Sequence, residues 1–137
     1  MQEMFFRPLM AHQKIRGARS KPDALKVVNS ERGGKKIVFS RGLYRKLGIE
    51  DKVYILTDEE ALIVSGEALF QGCPSYNVRT QSGDQKVLYC ADAAYEIADI
   101  LRLDFSESVS QSVTQIEYLD SEEGIIFAFV YNEQEDS

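Results

Sequence analysis

The sequence predicts a mainly β domain with short helices (α+β), assembled from two intrachain repeats that share one core. Three observations carry that prediction. Short runs rich in Val, Ile, Leu and Phe recur between turn-forming stretches, and the same order of elements occurs twice. The chain of 137 residues, 44% hydrophobic and 28% charged, also has the profile of one globular domain. A chain of this size buries roughly two thirds of the surface it exposes unfolded, so it needs neither metal nor disulfides to hold together.

Residues 1–23 show neither a helical nor a strand period and read as a flexible arm, apolar at Met4–Phe6 and basic after His12. Leu25–Val28 and Ile37–Phe39 flank the turn-forming Asn29-Ser-Glu-Arg-Gly-Gly-Lys and form a hairpin. Ser40 is a hydroxyl N-cap, Leu43 and Leu47 stand four apart, and Gly48 closes a short helix. Val53–Leu56 and Ala61–Val64 form a second hairpin around an acidic turn. Gly66 to Ser75 reads as a linker broken by Gly72 and Pro74. An Ala-rich helix follows at Ala91–Leu101, then a Ser-rich acidic insertion from Asp104 to Val113, a last hairpin, and an acidic tail. The expected organisation is an arm (1–23), one domain (24–131) made of repeats at about 25–66 and 75–130, and a tail (132–137).

Sliding the sequence by fifty residues sets LKVVNSERGGKKIVFSRGLYRKLGI on SYNVRTQSGDQKVLYCADAAYEIAD, so that Val28 meets Val78, Gly33 meets Gly83 and Lys36 meets Lys86. Leu43 and Leu47 then correspond to Ala93 and Ile97. After an insertion of thirteen residues the match resumes at an offset of sixty-three, Ile55-Leu-Thr-Asp-Glu-Glu-Ala-Leu-Ile-Val against Tyr118-Leu-Asp-Ser-Glu-Glu-Gly-Ile-Ile-Phe. Neither copy is large enough to bury its own strand faces, so half a barrel is repeated and the halves share a core.

The net charge of −6 hides a polarised chain. Residues 1–49 carry +9 and residues 50–137 carry −15. Such a chain presents a basic face to an anionic partner while its other half keeps it soluble or engages a cationic one. The longest apolar run, Ile125–Val130, is far short of the roughly 20 residues of a membrane helix, and the N-terminus lacks the order of a signal peptide. A cytoplasmic location is the expectation. One histidine, no tryptophan, and two cysteines (Cys73 and Cys90) without metal spacing supply no nucleophile and base, so the chain is not read as an enzyme and no cofactor is expected.

The stretch from Lys36 to Ile55, followed by an acidic turn and Ala61-Leu-Ile-Val, resembles the swapped-hairpin module of the AbrB/MazE/SpoVT superfamily. In that pattern Lys36 takes the place of the turn arginine, Ser40 of a proline and Arg41 of a lysine, while Leu43, Leu47, Gly48 and Ile49 match the L…LGI. Two copies in one chain are similar to the MraZ branch, although its D-x-x-x-R signature is absent and the proline is replaced in both copies, by Ser40 and Cys90. The resemblance implies a swapped-hairpin β-barrel that binds double-stranded DNA through the hairpin turn and short helix.

The DNA-binding set is then Arg32, Lys35 and Lys36 on the turn and Arg41, Arg45 and Lys46 on the helix, reinforced by Lys14, Arg16, Arg19 and Lys21 of the arm. A solvated helix face is the plainer account of the same residues. The second copy loses these charges, with Ala91, Tyr95 and Glu96 at the helix positions, so a homodimer is expected to place two basic halves on one duplex. The expected function is DNA-binding transcriptional regulation; the alternative is a protein-binding or antitoxin-like module that uses the acidic C-terminal half on a cationic partner. Asp58, Glu59, Glu60, Asp120, Glu122 and Glu123 are expected as solvated turn residues, Cys90 as a buried small side chain, and Tyr76, Tyr89, Tyr95 and Tyr118 as packing residues.

Overall fold

The computed structural model describes residues 22–31, 34–81 and 84–132. Among the described residues there are ten strands and two helices, two strands more than the repeated β–β–helix–β–β order predicts: β1 (Leu25–Ser30), β2 (Gly34–Phe39), α1 (Arg41–Leu47), β3 (Lys52–Thr57), β4 (Ala61–Ser65), β5 (Ser75–Asn77), β6 (Arg79–Gln81), β7 (Gln85–Tyr89), α2 (Ala91–Ile100), β8 (Ser110–Val113), β9 (Gln115–Asp120) and β10 (Ile126–Tyr131). They make two five-stranded antiparallel sheets, β6-β7-β2-β1-β8 and β5-β3-β4-β10-β9.

The first sheet joins the first hairpins of both repeats, and the second sheet joins both second hairpins. At the first seam β2 pairs with β7, Lys36 opposite Tyr89 and Val38 opposite Val87. At the second, β4 pairs with β10, and Val64 faces Ala128. Two short stretches link the sheets. Residues 75–81 supply β5 to one sheet and β6 to the other, turning at Val78, whose N–H donates to Asp51 O at 2.9 Å. Residues 110–120 supply β8 and β9 in the same way.

The inner faces meet in one core: Leu25, Val27, Ile37, Phe39 and Leu88 from the first sheet against Val53, Ile55, Leu62, Val64, Ala128 and Val130 from the second. The helices cross between repeats as the hairpins do. α1 buries Leu43 and Leu47 and packs on β7 and β10, whereas α2 buries Ala93, Ala94 and Ile97 and packs on β1, β2 and β4.

Four expectations need correction. The offset of sixty-three does not run through the last hairpin, because Ser121 N–H reaches over to Ile125 O (2.8 Å) where Asp58 N–H needs only Ala61 O (2.8 Å). The second turn therefore holds one more residue, with Gly124 at φ +85°, and β10 slips by one so that Ala128, not Phe127, takes the buried place of Val64. The first hairpins also differ: the β6–β7 register places Thr80, not Val78, in the strand position of Val28. The Ser-rich insertion ends as β8, paired along β1 from Leu25↔Val113 to Val28↔Ser110. Finally, Tyr118 is buried but Tyr89 and Tyr95 are 47% and 56% exposed, so these two are not core packing.

Candidate nucleic-acid interface

Strand alternation in the first sheet decides what faces out. The pairs Leu25↔Phe39 and Val27↔Ile37 point into the core, so Lys26↔Val38 and Val28↔Lys36 point away from it. Crossing the seam adds Val87 and Tyr89 to that outward face, β6 adds Arg79 and Gln81, and β8 adds Ser110 and Ser112. Among the described residues this face carries three cations, Lys26, Lys36 and Arg79, and no carboxylate, in a chain of net charge −6. Lys26 and Arg79 were not among the sequence candidates. Lys26 was legible, since it alternates with Leu25 and Val27, but nothing in a three-residue edge strand announced Arg79.

The predicted bases do not form one surface. Lys35 points to the inner side of β2, with its Nζ 5.5 Å from the ring centre of Tyr95 on α2, while Lys36 stands on the outer side, 5.6 Å from the Tyr89 ring. Arg41 and Arg45 lie at the far end of β2, roughly 17–20 Å along the strand, because each helix sits beside the other repeat's turn. Arg41 there pairs with Asp84 of the β6–β7 turn at 3.2 Å, both side chains more than half exposed. An exposed pair of this kind is worth little, so it costs little to break. Arg45 is exposed on the same side of α1.

Lys46 belongs elsewhere. Its Nζ donates to Asp23 Oδ2 at 2.8 Å and lies 4.9 Å from the Tyr118 ring centre. Asp23 rests on Gly42, where a Cβ would stand 2.0 Å from Oδ1, and the same carboxylate accepts from the Tyr118 hydroxyl. Burial and then the Asp23 carboxylate push the Tyr118 phenol far above its ordinary value of 10.0. Next to it, Ser40 accepts Ala24 N–H at 3.0 Å and Leu43 N–H at 3.4 Å through Oγ, while its own N–H donates to Ala24 O at 3.1 Å. The chain thus enters the fold against α1, beside Arg41 and Arg45. Lys14, Arg16, Arg19, Lys21, His12 and Arg32 lie outside the described residues.

Other candidates gather no chemistry. The two acidic turns lie at opposite ends of the second sheet, because β4 and β10 run antiparallel, and Glu60 meets Arg102 at 3.4 Å. Among the described residues no three His, Cys, Asp or Glu side chains are grouped to hold a metal ion. Cys90 is half-buried at the N-cap of α2 and makes no capping bond. No helix among the described residues is long and apolar enough to cross a membrane. Comparison with family models, curated proteins and solved structures finds no match to this chain.

Proposed function

We propose that the protein is a DNA-binding transcriptional regulator, built as an AbrB-like swapped-hairpin β-barrel from its two repeats. The observation that carries the reading is the acid-free outward face at the seam of the repeats, with Lys26, Lys36 and Arg79 projecting from it. Positive charge on an otherwise acidic chain is gathered there, and among the described residues no carboxylate shares that face. Arg41 and Arg45 form a second basic group on α1, at the far end of β2 where Asp23 packs on the helix. The barrel reading is supported by the crossing of hairpins and helices between repeats and by the two stretches that each serve both sheets. Both repeats contribute to the face, Lys26 and Lys36 from the first and Arg79 from the second, and a homodimer would double it.

The test is fluorescence anisotropy with a mixed-sequence duplex at two salt concentrations. The Lys36→Glu/Arg41→Glu double variant is expected to bind more weakly and to lower the salt slope by about 2, one for each lost phosphate contact. Unchanged affinity and slope would remove these residues from the interface. A second reading has its own observation: the outward face of the second sheet carries half-buried Leu56, Ile63, Leu119 and Phe129, with Asp58 and Glu117 at its margin. That surface suits a cationic protein partner, and failure of duplex DNA to compete for such a partner would separate the two uses.

A further inference from the structure

Resting on the nucleic-acid reading above, we infer that the outward face of the first sheet takes unpaired nucleotides, with Tyr89 as the stacking floor for a base. The position of the ring is the first argument. Gln81 pairs in register with Gln85, four residues along β7 from Tyr89, yet Gln81 Nε2 donates to the Tyr89 hydroxyl. The side chain therefore leans back along β7 towards Gln85, on the face that also carries Val87, and the residue is 47% exposed. A half-exposed ring on the outward face of a sheet, met there by the Lys36 ammonium 5.6 Å from its centre, is a stacking surface rather than a core residue.

Shape is the second argument. An open sheet meets a duplex through its phosphates rather than by entering a groove, and its span of about 19 Å across five strands also admits a few unpaired nucleotides. A central-strand aromatic on an open antiparallel sheet is a general solution for unpaired bases. Charge is the third. Lys36 lies directly across from Tyr89, and Lys26 and Arg79 flank Val38 and Val87 in the adjacent row. These three cations share the face of the ring, and Gln85 and Ser112 add neutral hydrogen-bonding groups there. On binding, the base takes the place of the Lys36 ammonium over the ring, and Lys36 moves to a phosphate.

The experiment compares a labelled 12-nucleotide mixed-sequence single strand with the duplex of the same sequence, at low salt. The single strand is expected to bind more tightly. Tyr89→Leu is expected to weaken the single strand about 5- to 100-fold and to leave the duplex within about twofold, while Tyr89→Phe binds as the wild type does. Photocrosslinking of a bromouracil-substituted strand to the wild-type protein, mapped by mass spectrometry, gives the same answer without a variant; a crosslink on the peptide containing Tyr89 is expected. Duplex preference with an indifferent Tyr89→Leu, or crosslinks confined to other peptides, overturns the inference and leaves the nucleic-acid reading standing. No binding of either form overturns both.

Discussion

Asp23 ties three elements of the fold together through one side chain. One carboxylate oxygen serves Lys46 and Tyr118, which lie on α1 and β9, so the residue clamps the segment leading into β1 to both. Asp23→Ala is expected to cost about 1–3 kcal/mol, because it strands a mostly buried phenol without its acceptor, and chemical denaturation measures it. Gly42→Ala should act through the same contact, since its methyl group displaces the carboxylate; the two substitutions together are expected to cost little more than either alone. The phenol sets a pH dependence as well. Its acidity is weaker in the fold than in the unfolded chain, so its contribution is complete below pH 10.0 and is lost as pH rises further towards its folded value. Tyr118→Phe is therefore expected to flatten the fall in melting temperature above pH 10, and an unaltered slope would assign that fall to other groups. None of this was legible in the sequence. Asp23 is one acid in a basic stretch, and its partner Tyr118 is 95 residues away.

Elements were the most legible level, because each is announced by local chemistry. The alternation of Leu25, Val27, Ile37 and Phe39, the pair Leu43/Leu47 and the αL cap at Gly48 all sit where periodicity places them. Departures came from turns, where one added residue is enough to move a whole strand, as Gly124 does for β10. The departure at Ser40 has a clear physical reason. Its φ of −67° would suit the proline of the resembled pattern, but its N–H and its hydroxyl oxygen both bond to Ala24. Ser40→Pro is expected to destabilise by about 1–3 kcal/mol and Ser40→Ala by about 0.5–2 kcal/mol, both read from thermal melts. An equally stable proline variant would show that the Ala24 contacts contribute nothing.

At the level of the whole molecule the repeats are not neighbours but interleaved partners, each sheet and each helix seat being shared between them. The sequence made the repetition legible, and with it the single core; it did not indicate which strands meet, because seam pairs such as Val38↔Val87 leave no local mark. It follows that neither half buries its own apolar faces. Residues 22–73 and 74–132, made separately, are expected to lack stable tertiary structure and to regain the native circular dichroism when mixed; a cooperative melt of either fragment alone would refute this. Polarity of charge along the chain was likewise readable, whereas the acid-free seam face emerged only from the register.

The pairing of β1 with β8 also dictates how the protein can be born. Leu25 must wait for Val113 to leave the ribosome before its strand acquires its outer neighbour. At synthesis rates of about 5–20 residues per second that interval is roughly 4–18 s. For that time the amino-terminal half travels with sticky, incomplete sheets, a natural client for holding chaperones, and its yield in the cell should track elongation speed and chaperone supply more closely than its final stability.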